Sequence, residues 1–123
     1  MTKAIIGISS KGEAFADLRE IARRIDAGEK LPQADYRLNF STAGQLFAEL
    51  TPKRMEILEI LKRSGPVSIY RLAKMAGRNY SNVHGDVARL IELDLVAKDE
   101  EGRAFVPWEE VEIHVALTGT KAA

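Results

Sequence analysis

A series of helix caps and stops between residues 51 and 102 constrains this chain more than any other feature. Thr51-Pro52 places a capping threonine before a proline that suits the first helical position. Ser64-Gly65-Pro66 ends that helix, with Lys62 and Arg63 in its last turn, where the macrodipole favours cations. Ser68 can cap a second helix that Gly77 closes, and Arg78-Asn79 forms the turn into a third. Between these signals the apolar residues keep helical spacing. Met55, Ile57, Leu58 and Leu61 mark the first buried stripe, with Ile60 near its edge. Ile69, Leu72, Ala73 and Ala76 mark the second, and Val83, Val87, Leu90 and Ile91 the third, starting at Tyr80 or Ser81. Strands at Leu95–Lys98 and Arg103–Val106 then flank an Asp99-Glu100-Glu101-Gly102 hairpin turn, and Pro107 breaks the second strand.

Three helices with a tight glycine turn between the second and third, followed by a hairpin, is the order of a winged helix-turn-helix. The expected fold class is therefore α+β, with a winged helix over residues 51–117. Residues 1–50 form an N-terminal extension of helix, short strand and short helix, and residues 118–123 a loose terminus. In the extension, Ala4 to Ile8 is β-prone. Ser10 and Glu13 fit a capping box, and Phe15, Leu18, Ala22 and Ile25, with Ile21 beside them, make one helical stripe that Gly28 can stop. Residues 29–35, with Pro32, read as a loop. Tyr36, Leu38 and Phe40 alternate as in a half-buried strand, and Ser41 or Thr42 can cap a short helix through Leu50. Val111, Ile113 and Val115 alternate as a last strand.

A chain of 123 residues, 46% hydrophobic, can bury a core. It has no cysteine, which excludes disulfides and thiolate metal sites and fits a reducing compartment. No apolar run approaches the roughly 18 residues of a membrane span, and no secretory signal is visible, so a cytoplasmic location is expected. The net charge is zero, but it is unevenly spread. Residues 51–90 carry eight basic side chains (Lys53, Arg54, Lys62, Arg63, Arg71, Lys74, Arg78, Arg89) against three acidic ones (Glu56, Glu59, Asp86), a balance of +5. Residues 91–123 carry three basic against eight acidic, a balance of −5. A basic middle suits a polyanion, although clustering on solvated helices gives the same count.

The segment Ser68-Ile69 … Leu72-Ala73 … Gly77-Arg78-Asn79-Tyr80-Ser81-Asn82-Val83-His84-Gly85-Asp86-Val87 … Leu90 … Leu93-Asp94-Leu95-Val96 resembles the winged helix of prokaryotic MarR- and ArsR-type regulators. The longer run from Leu50-Thr51-Pro52-Lys53-Arg54 to Phe105-Val106-Pro107-Trp108, together with Ile25 to Glu29, resembles a family of small prokaryotic, antitoxin-like DNA-binding regulators. The resemblance implies a transcriptional regulator that binds duplex DNA and can autoregulate its operon. Related proteins often carry a larger side chain at the position of Gly85, which leaves base contact there open.

In a helix-turn-helix the first turns of the last helix reach base edges, and this nominates Asn79, Tyr80, Ser81, Asn82, His84 and Gly85. Asparagine can pair with adenine and the hydroxyls can reach phosphates, but Asn79 or Ser81 can equally serve as a helix cap. Gly85 allows close approach of DNA or of another backbone, or is tolerated on an open face. His84 can touch DNA, respond to pH, or act as a structural hydrogen-bonder. Arg71, Lys74, Arg78 and Arg89 are the expected phosphate contacts, with Lys98 and Arg103 on the hairpin. The hairpin tip itself is acidic, and Asp86 is expected to pair with an arginine or cap a helix. Trp108 and Phe105 read as core or interface residues.

No catalytic, metal or cofactor motif is found: His84 and His114 are isolated, and no glycine-rich phosphate loop or nucleophile elbow is present. The expected partners are double-stranded DNA and a second copy of the chain, with residues 1–50 and the last strand as dimer surface. The competing readings are an antitoxin whose main act is binding a toxin protein, and a winged helix kept only for assembly. RNA binding lacks the exposed aromatic pair that single-stranded recognition uses.

Overall fold

The computed structural model describes residues 2–9, 19–20, 22–23, 26–28 and 35–117. The fold is α+β. The elements in chain order are β1 (Lys3–Ile8), β2 (Tyr36–Phe40), α1 (Ala43–Glu49), α2 (Pro52–Ser64), α3 (Ile69–Ala76), α4 (Tyr80–Glu92), β3 (Ala97–Lys98), β4 (Ala104–Phe105) and β5 (Glu110–Ile113). They fall into two compact units, Met1–Phe47 with Glu110–Ala123, and Ala48–Glu109.

The first unit is built on a three-stranded parallel sheet in the order β2-β1-β5. Its register explains its composition. Ala4 lies between Tyr36 and Val111, and Ile6 between Leu38 and Ile113, so the apolar alternation of all three strands falls on one face. Ala4 and Ile6 are fully buried there. On the opposite face Lys3 reaches Glu110 and Glu112, each at 3.7 Å. The sequence reading attached the last strand to the 51–117 segment, whereas β5 pairs with β1. Alternation marks a strand and its buried face but carries no information about its neighbour. The strand also ends at Ile113, not Val115, although the His114 amide still donates to the Ile6 carbonyl at 2.8 Å.

Parallel neighbours require a crossover between β1 and β2. Of the helix expected there, Arg19, Glu20, Ala22, Arg23 and Asp26 are helical, and Gly28 follows at φ 80°. Ala22, assigned to the inward stripe, is exposed. A methyl group carries too little apolar area to set the rotation of a helix. The Ser10–Glu13 capping box, Phe15, Leu18, Ile21, Ile25, the loop with Pro32 and residues 118–123 lie outside the described residues. Thr42 is the cap of α1, its Oγ1 accepting from the Gln45 amide at 3.1 Å.

The second unit follows the caps read from the sequence. Thr51 Oγ1 accepts from the Arg54 amide at 3.3 Å, and Ser68 Oγ from the Arg71 amide at 3.1 Å. Each of these satisfies an amide that the helix start leaves open. Gly77 closes α3 in the left-handed region at φ 65°, where a β-carbon is costly, and its amide donates to the Ala73 and Lys74 carbonyls. The core comprises Ile57, Leu58, Ile60 and Leu61 of α2, Ile69, Leu72 and Ala73 of α3, and Val83, Val87 and Leu90 of α4. Leu50, Leu93, Leu95, Val96 and Ala104 complete it. Ile60, placed at the stripe edge by periodicity, is 5% exposed, while Met55 and Ala76 are only half-buried. Helices packed on one side and a hairpin on the other bury a wider arc than a single stripe.

The β3–β4 hairpin is shorter than the four-residue strands expected, with Ala97 opposite Phe105 and Lys98 opposite Ala104. Val67, between α2 and α3, joins it: its amide donates to the Ala104 carbonyl at 3.1 Å, and the Ala104 amide to the Val67 carbonyl at 2.7 Å. Asp94 turns the chain out of α4 at φ 60° and is held by Trp108, whose Nε1 donates to the Asp94 carbonyl at 2.8 Å. Lys62 Nζ donates to the Trp108 and Glu109 carbonyls at 2.8 and 2.7 Å.

Candidate functional site

The residues nominated on α4 divide between two sides of that helix. Ser81, Asn82 and Gly85 line a shallow cleft of about 420 Å³ with Thr51, Lys53, Arg54, Arg78 and Asp86. His84 lies on the other side, lining an apolar groove of about 170 Å³ with Ile69, Val87, Ala88, Ile91 and Lys98. The exposed Tyr80 ring sits 5.8 Å from that of His84. Asn79 is the helix cap: its Oδ1 accepts from the Ser81 amide at 2.8 Å and the Asn82 amide at 3.4 Å. That oxygen is therefore committed to the backbone, and of the alternatives open in the sequence, capping is the one observed.

The cleft wall is organised by a chain of ion pairs. Asp86 accepts from Arg54 Nε at 3.0 Å and from Arg78 Nη2 at 2.8 Å. Arg54 also reaches Glu49, with Nη1 at 2.9 Å from the main-chain carbonyl and 3.4 Å from Oε2. Glu49 in turn takes a two-pronged pair from Arg89, Nε to Oε2 and Nη2 to Oε1, both at 2.7 Å. Arg89 Nη1 finishes on Glu92 at 2.7 Å. Three arginines and three carboxylates thus tie the end of α1, the start of α2 and the turn before α4 to α4 itself. Burial pushes the Asp86 carboxyl up, but hydrogen bonds from Arg78 and Arg54 outweigh it and hold the group below the ordinary carboxylate value. The Arg89 hydrogen bonds hold Glu49 below its ordinary value, against a smaller opposing effect of burial. Arg78 is 14% exposed, and its Nη1 is buried without a hydrogen-bond partner among the described residues.

These pairs change the list of available cations. Arg78 and Arg89, expected to meet phosphate, face Asp86 and Glu49 instead. Glu49 is 40 residues from Arg89, a separation at which sequence spacing says nothing about contact. Asp86 pairs with an arginine as expected, and with two. Arg103 is held at the hairpin tip by Asp99 at 2.8 Å and Glu101 at 3.4 Å. Asp99 also accepts from the Glu101 and Arg103 amides at 2.9 Å. The Arg103 amide, ahead of the burial that opposes it, holds Asp99 below its ordinary value. Arg103 therefore acts as a staple of the turn. Lys74 sits 4.6 Å above the Tyr70 ring. Of the +5 middle segment, Lys53, Arg63 and Arg71 are exposed with no carboxylate partner among the described residues, as is Lys98 on the hairpin.

Lys53 and Arg54 were not singled out from the sequence. A signal was present: no acidic residue occupies the first turn of α2, α3 or α4. Lys53, Arg54 and Arg71 stand instead at helix starts, where the macrodipole disfavours cations.

The match to known proteins concerns this same stretch. The HVO_A0114 family model matches residues 49–113. The chain belongs to the HVO_A0114 family. The segment that defines membership begins at Glu49, so it contains the whole ion-pair chain, the cleft, the hairpin and β5. Among solved structures, the crystal structure of RV1404 from Mycobacterium tuberculosis is similar at 20% identity and a TM-score of 0.46, over 80% of this chain. The chain spans 65% of the length of that protein. No curated protein matches. Among the described residues, no helix is long and apolar enough to cross a membrane.

Gly85 offers a direct test of what its open face is for. A β-carbon there would meet nothing within 4 Å. Gly85→Ala is expected to stabilise the protein by about 1 kcal/mol through helix propensity alone, read as a shift in the denaturation midpoint. A loss of stability would mean that the helix is packed at this position.

Proposed function

We propose that the chain is a winged-helix regulator of transcription that binds duplex DNA through the N-terminal half of α4. The observation that carries this reading is the exposed start of α4, with Ser81, Asn82 and Gly85 on one side and His84 on the other, held by the Asn79 cap and the Gly77 turn, and preceded by the exposed Arg71 and Lys74 of α3. A rigid helix start with short polar side chains can enter a major groove, while the preceding helix lies along the backbone. The hairpin plays a lesser part, because its tip is acidic and Arg103 is neutralised there. One α4 covers about half of a typical operator, so a homodimer is the working form. β1, β2 and β5 join the N-terminal and C-terminal segments in one sheet, which makes a single surface of the two regions nominated for self-association.

The test is fluorescence anisotropy of the full chain with DNA from its own promoter and with a scrambled duplex, at two salt concentrations. Promoter DNA is expected to bind more tightly, with strong salt dependence, and Asn82→Ala to reduce the preference by about 1–3 kcal/mol. Equal affinity for both duplexes, unchanged in Asn82→Ala, would remove sequence reading from α4. Sedimentation of a monomer at high concentration would remove the dimer.

A further inference from the structure

We infer that the cleft between the start of α2 and the start of α4 is a seat for one phosphate of the DNA backbone, with Lys53 as its direct cationic ligand. The inference rests on the DNA-binding reading and deepens it.

Four features of the cleft converge on an anion. Lys53, Arg54 and Arg78 line the cleft against the one lining carboxylate, Asp86, and the balance stays positive when Glu49, 3.4 Å from Arg54, is included. Asp86 holds Arg54 and Arg78 with 21% and 14% of their side chains exposed, so both act as fixed positive walls that frame the cleft rather than reach out of it. Lys53 is exposed, with no carboxylate partner among the described residues, and its long stem gives it the reach that the walls lack. Ser81 and Asn82 add neutral donors, and Gly85 leaves the floor open. The helix ends reinforce the field. Two basic residues stand in the first turn of α2, where they oppose the macrodipole; Asp86 and Glu49 offset Arg54 but nothing offsets Lys53 among the described residues, and the first turns of α2 and α4 hold no acidic residue. That arrangement is locally unfavourable in the free protein and becomes favourable when an anion arrives.

The cleft also shares Ser81, Asn82 and Gly85 with the face assigned to base reading. A phosphate seated on Lys53 and Ser81 would fix the register of α4 in the groove without reporting sequence. Arg54 and Arg78 are positioning residues in this scheme, and Asp86 holds both.

The experiment measures salt dependence of duplex binding for the full chain and two variants, Lys53→Ala and Arg63→Ala, each checked for an unchanged melting curve. Both remove one exposed charge from α2, but Arg63 stands in its last turn, away from the cleft. Lys53→Ala is expected to lower the slope of log affinity against log salt by about one, and to weaken promoter and scrambled DNA alike by about tenfold at 0.1 M salt. Arg63→Ala is expected to leave the slope unchanged. A third variant, Gly85→Glu, whose β-carbon meets nothing within 4 Å, brings a carboxylate to the cleft and is expected to weaken both duplexes further. If Lys53→Ala keeps the wild-type slope while the protein still binds DNA, the phosphate seat is overturned and the DNA-binding reading stands. Equal losses from Lys53→Ala and Arg63→Ala would mean that net charge, not the cleft, is sensed, and would overturn it as well. If the wild-type chain binds no duplex at low salt, the reading and the seat fall together.

Discussion

Leu72→Ala is expected to cost the Ala48–Glu109 unit about 3 kcal/mol, within the usual span for a buried leucine. Leu72 is 0% exposed and sits at the middle of α3, a helix of only eight residues. A helix that short is not stable by propensity in water; packing of its apolar side holds it. Ile69 and Ala73 are its other buried residues. Truncating Leu72 removes the one large side chain of α3 that is fully buried and leaves a cavity that the flanking helices cannot readily close. The loss should appear as a lower denaturant midpoint with an unchanged slope, and as a drop in Tm on the order of 10–20 °C. Trp108 is the single tryptophan and belongs to this unit, so its fluorescence reports the transition directly. A loss below about 1 kcal/mol would show that the core around α3 collapses onto the gap.

Asp86→Asn is the second large effect, about 2 kcal/mol of destabilisation at neutral pH. This is below the roughly 3–5 kcal/mol for breaking a fully buried ion pair, because Asp86 keeps 17% of its side chain exposed. The substitution leaves Arg54 and Arg78 facing a neutral amide, with no other carboxylate on Arg78 among the described residues. The acid limb provides an independent check. The folded-state pKa of Asp86 lies below its ordinary value. Its stabilising contribution is therefore complete above the unfolded value, about 4, and is lost as pH falls through the depressed folded value. Glu49 behaves in the same direction. Wild-type stability should fall below about pH 4, and Asp86→Asn should show a shallower fall from a lower plateau. Parallel acid limbs in the two proteins would mean that Asp86 titrates alike in the folded and unfolded states, and would remove the proposed role of its arginine clamp.

Local chemistry made much of this fold legible in advance. Thr51-Pro52, Ser68, Gly77 and Asn79 each act through their own backbone or a neighbour within four residues, so sequence is sufficient to place them. Apolar spacing located the cores of α2, α3 and α4 for the same reason, since period alone determines which side chains share a face. The β-prone run Ala4–Ile8 and the alternations of Tyr36, Leu38 and Phe40 and of Val111, Ile113 and Val115 likewise marked three strands, the last of which ends at Ile113.

Pairing and electrostatic partnership were decided elsewhere. That β5 joins β1, and that all three strands run parallel, depends on how the connections close in space. The available charge also differs from the counted charge. Arg78, Arg89 and Arg103 are basic in any tally, yet Asp86, Glu49 and Asp99 neutralise them at 2.7–2.8 Å. An ion pair is a matter of distance, and a fold that brings residue 49 to residue 89 cannot be read from a charge count. What the sequence determined by itself was the order, the caps and the buried faces of the elements, because those obey short-range rules. Only the tertiary structure decided which cations remain free: Arg78 and Arg89 are taken up by carboxylates, while Lys53 lines a cleft with no carboxylate partner among the described residues.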